Sequence, residues 1–207
     1  MKIEILYPEI CTLYGDKGNT MYLQKCLPGA EFVTTGLNEK PLFLKENIDM
    51  VYMCSMSEKS QELVLDRLMQ YKDEIAACMK DGKALFLLVG NSMELLGDYI
   101  KREDGTRVTG LGVVPGMYSV RQTPNRFNTL IKAKFNDMIL IGYTSRFAHT
   151  YGIPDDMTFC KVEIGQGSNP DTMNEGICKN RVIATYIHGP LLIQNPDFVP
   201  VSYTHLT

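Results

Sequence analysis

A short apolar run, Ala84 to Val89, ends at Gly90, and a helical pattern restarts directly behind it, over about 92–100. The run is too short to span a membrane and carries its own turn signal, so it predicts a buried central β-strand. A strand that enters a helix through such a tight turn exposes the corner residue at the carboxyl edge of a sheet. That is the geometry of a nucleophile elbow. The corner residue here is Gly90, which has no side chain to attack with.

The rest of the hydrophobic pattern divides the chain into two halves. In the first half strands alternate with helices, which predicts right-handed crossovers and a parallel sheet. The second half contains only strand patterns, which are expected to add antiparallel strands beside that sheet. The predicted helices are 20–26 and 57–80, the latter begun by a capping box of Ser55 and Glu58 and ended by Gly82; the predicted strands are 3–7, 30–35, 49–54, 84–89, 117–121, 129–135, 138–143, 159–164 and 182–187.

Composition adds limits rather than a function. A length of 207 residues with 44% hydrophobic and 22% charged residues is ordinary for one globular domain, which we assign to residues 1–200. The net charge of −3 gives no electrostatic reason to expect nucleic acid or an anionic membrane surface as a partner. No apolar run is long enough to insert into a bilayer and no signal peptide precedes the first strand, so we expect a cytoplasmic protein.

The six cysteines are widely scattered. They form no Cys-x-x-Cys pair, and no cluster of cysteine and histidine has the spacing of a zinc site. We therefore expect no metal and no cofactor, and free, mostly buried thiols in a reducing compartment. The cysteines are Cys11, Cys26, Cys54, Cys78, Cys160 and Cys178.

The last seven residues, Val201 to Thr207, read like the translation of a sequencing adapter joined to a shortened reading frame. On this interpretation the natural protein continues beyond Pro200, with a closing helix, and the tail packs against nothing. His205 is therefore excluded from every site.

His188 is the histidine with the clearest chemical context. It stands at the end of a predicted strand and is followed by Gly189-Pro190, which places its ring over a sheet edge as a general base. A lone histidine is more often structural. The segment 13–19, Leu-Tyr-Gly-Asp-Lys-Gly-Asn, contains two glycines. They either let backbone amides bind an anion at the start of a helix or provide the backbone torsions of a strand-to-helix turn.

Four segments together resemble one known family. They are Leu13–Asn19, the elbow ending Glu94-Leu95-Leu96-Gly97, the turn Gly110-Leu111-Gly112, and the segment His188–Leu192. In this order and at similar spacing they resemble class I glutamine amidotransferases of the cobyric acid synthase-like (CobB/CobQ) type, and among these the GatD-like glutaminase subunits of lipid II isoglutaminyl synthases. The resemblance implies an α/β class I amidotransferase-like fold, a mixed and mostly parallel central sheet flanked by helices.

The resemblance also implies a catalytic site that this chain has altered. In the family a cysteine at the elbow attacks the glutamine amide, a histidine activates it, and a glycine loop stabilises the oxyanion. The histidine corresponds to His188, but the cysteine falls on Gly90 and the glycine loop falls on Cys54, Ser55 and Met56. A family arginine that binds substrate corresponds to Arg126, and a Glu-Asn-His stretch falls on 144–146.

These departures predict a retained scaffold whose glutaminase activity is lost. The expected role is a subunit that works beside a Mur-ligase-like synthetase in the amidation of a peptidoglycan precursor, or in amidation of a corrinoid-type substrate. One alternative is an active glutaminase that uses another nucleophile, such as Cys54. A second is a non-catalytic module that binds glutamine or a related metabolite.

Overall fold

A computed structural model describes the backbone of residues 1–204 and the side chains of residues 1–201. Within residues 1–204, thirteen strands form a nine-stranded sheet in the order β2-β1-β3-β4-β13-β12-β11-β8-β9 and a four-stranded sheet in the order β10-β7-β5-β6. The strands are β1 (Lys2–Leu6), β2 (Glu31–Thr35), β3 (Met50–Met53), β4 (Leu85–Val89), β5 (Tyr99–Lys101), β6 (Arg107–Thr109), β7 (Tyr118–Arg121), β8 (Phe127–Phe135), β9 (Met138–Arg146), β10 (Ala148–Tyr151), β11 (Thr158–Ile164), β12 (Asn174–Lys179) and β13 (Val182–Thr185).

The large sheet has a parallel part and an antiparallel part, but the parts do not follow the two halves of the sequence as predicted. β13, which the second half was expected to add in antiparallel orientation, pairs parallel with β4, and β7 lies in the small sheet. Strands β2, β1, β3, β4 and β13 run parallel to one another. Strands β12, β11, β8 and β9 continue the sheet in antiparallel order. The predicted central strand is β4, whose five residues are all buried. It lies between β3 and β13, so the carboxyl ends of three parallel strands meet beside the elbow.

Five helices are described, and none of them is long and apolar enough to cross a membrane. The predicted long helix is wrong: it is two helices, because the chain turns at Gln70 and Tyr71 and α3 restarts with Asp73 and Glu74, whose charges favour a helix amino terminus. Ser57, not Ser55, caps α2. The helices are α1 (Lys17–Cys26), α2 (Glu58–Met69), α3 (Lys72–Asp81), α4 (Leu191–Gln194) and α5 (Phe198–Thr204).

The predicted helix behind the elbow is also wrong. The segment Gly90–Leu96 is a 3-10 turn, and the chain then enters β5. Pairing in the small sheet stabilises this segment as a strand. β5 pairs with β6 and β7, and the amide of Asp98 donates to the carbonyl of Met117 at 2.7 Å. The Gly110-Leu111-Gly112 turn closes against this strand, because the amide of Gly110 donates to the carbonyl of Asp98.

The tail does not behave wholly as expected. Val201 belongs to α5 and is a partly buried residue packed against the core, so the prediction that the tail packs against nothing fails at this residue. The side chains of 202–204 and residues 205–207, including His205, lie outside what the structure describes. The assignment of residues 1–200 to one domain stays a prediction.

Candidate active site

Three buried polar side chains meet at the carboxyl edge of the parallel strands. Ser55 follows β3, His188 follows β13, and Asp16 precedes α1. Their exposed fractions are 1%, 1% and 0%. Gly90, the elbow residue, lies directly against Ser55 and His188 at the end of β4. The parallel register places these positions together, since Thr185 of β13 pairs with Val89 of β4.

The elbow has the backbone of a nucleophile-bearing turn, but Ser55 and His188, as they are placed here, leave no room for a side chain on residue 90. Gly90 has a φ of +72°, a left-handed conformation that favours glycine. A Cβ atom built on it would lie 1.9 Å from the Oγ of Ser55 and 2.5 Å from the Cε1 of His188. Contacts this short cannot exist, so the hydroxyl of Ser55 and the His188 ring occupy the space in which the attacking side chain of a nucleophile elbow begins.

Asp16 organises this cluster. Its Oδ2 accepts a hydrogen bond from the hydroxyl of Ser55 at 3.0 Å and lies 3.1 Å from the Nδ1 of His188. The Oγ of Ser55 is 3.3 Å from the same nitrogen. The Oδ1 of Asp16 is buried, and no partner for it occurs among the described side chains. The three groups are therefore held mainly through one carboxylate oxygen and one ring nitrogen.

Aromatic rings and backbone bonds fix the histidine from the other side. The rings of Tyr14 and Tyr143 lie 4.7 Å and 5.8 Å from the His188 ring, centroid to centroid. The amide of His188 donates to the carbonyl of Tyr143 at 2.8 Å, and the reverse bond is 3.2 Å. Burial raises the pKa of Tyr143, so its hydroxyl stays protonated beside the histidine at neutral pH.

The segment in place of the glycine loop is tied to the elbow. The amide of Met56 donates to the Oδ1 of Asn91 at 3.0 Å, and the Nδ2 of Asn91 donates back to the carbonyl of Met56 at 2.8 Å. An oxyanion hole needs free backbone N–H groups aimed at the developing charge. In this chain the Met56 N–H is already used by a side chain. Asn91 follows the elbow residue, and sequence reasoning did not single it out.

Cys54 points away from His188. Its thiol donates to the carbonyl of Cys11 at 2.9 Å, whereas the next residue, Ser55, faces the cluster. Successive side chains of an extended segment project to opposite sides, which explains the difference. Burial, and after it the charge of Asp16, raises the pKa of the Cys54 thiol well above its usual range. The geometry therefore gives no support to Cys54 as the alternative nucleophile.

Below the elbow, Glu94 joins the turn to the sheet. Its carboxylate accepts from the Nε2 of Gln61 and from the hydroxyl of Tyr186, both at 2.9 Å. Burial raises the pKa of Glu94. These hydrogen bonds connect the turn after Gly90 both to α2 and to the segment that carries His188.

The remaining predicted residues, Arg126 and the segment 144–146, take no part in the hydrogen bonds among Ser55, Asp16 and His188. Arg126 is exposed, and its guanidinium carbon lies 4.6 Å from the ring centroid of Phe147, so its role in substrate binding stays a prediction. Arg146, in the 144–146 segment, is buried and donates to the carbonyl of Gly167. Within the described part of the chain, no three histidine, cysteine, aspartate or glutamate side chains form a group that would hold a metal.

Comparison with known proteins gives sequence relatives across nearly the whole chain. Residues 2–196 match the CobB/CobQ-like glutamine amidotransferase domain. A lipid II isoglutaminyl synthase (glutamine-hydrolyzing) subunit GatD from Streptococcus pneumoniae is 28% identical over 201 residues, which cover 95% of this chain and 76% of that protein. The subunit of the same name from Staphylococcus aureus is 25% identical over 185 residues, which cover 88% and 74%.

Solved structures support the fold independently. One glutamine amidotransferase crystal structure matches with a TM-score of 0.64 at 13% identity, covering 99% of this chain and 97% of that chain. A glutamine amidotransferase from Thermotoga maritima matches with a TM-score of 0.55 at 13% identity, covering 91% and 75%. At such identities the likeness concerns the fold alone. The predicted class, an α/β fold with a mixed central sheet flanked by helices, is confirmed; the large sheet has four parallel and four antiparallel pairings.

Proposed function

The chain belongs to the CobB/CobQ-like glutamine amidotransferase domain family, and from this we propose that it is a GatD-type subunit whose glutaminase site is closed. The relatives from Streptococcus pneumoniae and Staphylococcus aureus are named as subunits of a lipid II isoglutaminyl synthase, which favours a peptidoglycan precursor over a corrinoid as the substrate of the assembly. The free cysteines fit a cytoplasmic location.

One observation carries the proposal of a closed site. The Oγ of Ser55 lies 1.9 Å from where the Cβ of a residue 90 nucleophile would be, and the His188 ring lies 2.5 Å from it. Glutamine hydrolysis in this family requires a thiolate at that point, next to a histidine and free oxyanion donors. Here the thiolate is replaced by glycine, its space is filled, and the Met56 amide is engaged by Asn91.

We expect no measurable release of ammonia or glutamate from glutamine by this protein, alone or with a synthetase partner. Transition-state stabilisation by a nucleophile and its oxyanion hole is lost as a unit. The measurement is coupled detection of glutamate over long incubation. The matched control is the same protein with His188→Ala, which should give an identical background. A rate that His188→Ala lowers would contradict a closed site.

A second candidate is hydrolysis with Ser55 as the nucleophile, because Ser55, His188 and Asp16 are in contact. Their geometry is unfavourable: Ser55 and Asp16 approach the same ring nitrogen, whereas a catalytic triad places them on opposite nitrogens. The hydroxyl of Ser55 also donates to Asp16 already. Ser55→Ala decides between the two functions, since activity that this substitution abolishes would assign the nucleophile to Ser55.

We also propose that the scaffold serves in an assembly, with a Mur-ligase-like synthetase as its partner. A subunit that has lost its chemistry is most simply retained for the contacts that it makes. Co-expression with a Mur-ligase-like synthetase, followed by size-exclusion chromatography, is expected to give one peak that contains both chains. Elution of the two chains in separate peaks at micromolar concentration would contradict this role.

A further inference from the structure

One face of the antiparallel part of the large sheet is apolar and open to solvent. Strands β11, β8 and β9 lie side by side, and large apolar side chains project from the same side of all three. We call this surface the outer face. Its apolar residues and their exposed fractions are Leu130 at 76%, Ile164 at 59%, Ile139 at 48% and Ile141 at 48%. With so much of each side chain exposed, no element of the described chain covers the outer face.

The strand register makes the outer face one continuous patch. Lys132 of β8 lies between Ile164 of β11 and Ile141 of β9. Leu130 lies opposite Tyr143 of β9, which makes it a diagonal neighbour of Ile141. Single exposed apolar side chains are ordinary on a protein surface, whereas a contiguous patch of them marks an interaction site.

The other face of the same strands is already packed. Ile131, Ala133 and Phe135 of β8 are buried, and the ring of Phe135 lies 5.7 Å from the ring of Phe198 in α5, centroid to centroid. Buried and exposed positions therefore alternate along β8, as they do in an antiparallel sheet that packs on one side only. Such a sheet normally presents polar side chains to water. The apolar residues on its outer face therefore indicate a further contact.

The charges on the outer face indicate what kind of partner fits it. The charged side chains that β8, β9 and β11 present to solvent are Lys132, Lys134, Lys161 and Glu163. Lys132 and Glu163 form an ion pair at 2.7 Å. Lys134 and Lys161 lie directly opposite each other and have no ion pair among the described side chains. Like charges in opposite positions of a sheet are destabilising, and carboxylates of a partner would relieve this repulsion.

A second copy of the chain matches the outer face poorly. The face carries three ammonium groups and one carboxylate, so two copies packed face to face would bring like net charges together. Like charges that meet across an interface cost affinity and exclude the wrong partner. The charges therefore favour a different protein, one whose contact surface has an apolar centre and carboxylates around it.

The outer face adjoins the closed site. The ring of Tyr143, opposite Leu130, lies 5.8 Å from the His188 ring. The edge of β9 is occupied at this point, because Asn195 binds the N–H and C=O of Ile141, and His188 binds those of Tyr143. A partner here therefore packs on the face of the sheet and does not add a strand to its edge.

From these observations we propose that the outer face is the surface on which a synthetase-type partner subunit docks, through an apolar patch rimmed by carboxylates. This inference rests on the assembly role proposed above and names the part of the chain that the assembly uses. The apolar side chains supply most of the affinity, since they lose contact with water on docking. The lysines orient the partner and raise the association rate.

The test uses the complex of this protein with a Mur-ligase-like synthetase, with the dissociation constant measured by titration calorimetry. Leu130→Glu combined with Ile164→Glu should weaken binding roughly a hundredfold, because two apolar contacts are lost and two carboxylates face an acidic rim. The matched control, Met21→Glu combined with Leu63→Glu, adds the same charges at two apolar positions that are 55% and 41% exposed on α1 and α2, and it should bind like the wild type. Urea unfolding should show that both variants fold, since all four positions lie at the surface.

Lys134→Glu combined with Lys161→Glu tests the role of charge. We expect about tenfold weaker binding at low ionic strength, and a smaller difference as salt screens the charges. Lys25→Glu combined with Lys59→Glu makes the same change of net charge at two exposed lysines of α1 and α2 and should have little effect. Equal weakening by both pairs would contradict a carboxylate rim that faces Lys134 and Lys161.

Lysine acetylation locates the partner on the wild-type protein without any substitution. In the complex we expect slower acetylation of Lys134 and Lys161 than in the free protein, and an unchanged rate at Lys25 and Lys59. Unchanged rates at all four lysines in a complex that forms would overturn the docking surface even where a variant fails to fold.

The outcomes separate this proposal from the assembly role on which it rests. A complex that the wild type and both outer-face variants form equally well would overturn the docking surface and leave the assembly role standing. Failure of the wild type to bind the synthetase would overturn both. Concentration-dependent dimerisation of the free protein, abolished by Leu130→Glu combined with Ile164→Glu, would overturn the proposal by assigning the outer face to a second copy.

Discussion

Gly90→Cys alone is expected to give no measurable glutaminase activity, although it restores the missing nucleophile. The new Cβ would lie 1.9 Å from the Oγ of Ser55, so the cysteine side chain cannot be accommodated unless Ser55 moves. The φ of +72° adds strain for any residue other than glycine, of about 1–2 kcal/mol. The measurement is glutamate release from glutamine, with His188→Ala as background.

Activity is expected once the space is restored as well, and a faster rate once the oxyanion donor is also freed. Gly90→Cys with Ser55→Gly removes the clashing hydroxyl and should give slow hydrolysis. Adding Asn91→Gly frees the Met56 amide, now bound to Asn91 at 3.0 Å. One recovered oxyanion donor raises the rate by roughly a hundred- to a thousandfold.

The matched control for this series is Gly90→Cys with Asn91→Gly, which keeps Ser55 and should stay inactive. His188→Ala in the triple variant should abolish the recovered activity, because the thiolate then lacks its base. Full activity of Gly90→Cys by itself would show that Ser55 does not close the site.

Gly110→Ala is expected to lower the free energy of unfolding by about 3 kcal/mol, as overpacking against backbone does. An added Cβ would lie 2.1 Å from the carbonyl oxygen of Gly97. That oxygen cannot retreat freely, since it accepts the amide of Gly112 at 2.8 Å. The strain falls on the turn that joins the elbow to the small sheet.

Urea unfolding measures this effect, and Gly29→Ala is the control. Nothing lies within 4 Å of a Cβ at Gly29, so that substitution should leave the unfolding free energy nearly unchanged. Equal stabilities of the two variants would mean that the Gly97 carbonyl relaxes at no cost. The close approach of Gly110 to Gly97 would then not support the small sheet.

The local sequence pattern predicts nine of the thirteen described strands and misses β5, β6, β10 and β12. The apolar run 84–89 and the Gly90 turn sufficed for the central strand, because burial on both faces leaves a continuous apolar signal. The segment 92–100 has a helical pattern, yet Tyr99 and Ile100 form β5. The partners of Tyr99, which are Thr109 and Tyr118, come later in the chain, and a local pattern does not contain them.

The sequence by itself determined that residue 90 carries no nucleophile and that His188 is present, because the identity of a side chain does not depend on the fold. Only the tertiary structure decided which side chains occupy the space beside Gly90. Ser55 and His188 are 133 positions apart, and Asp16 and His188 are 172 apart. The parallel register of β3, β4 and β13 brings these residues to one edge, whereas the alternation of an extended segment turns Ser55 inward and Cys54 away. Such contacts follow from strand pairing across the whole chain, which local sequence patterns do not encode.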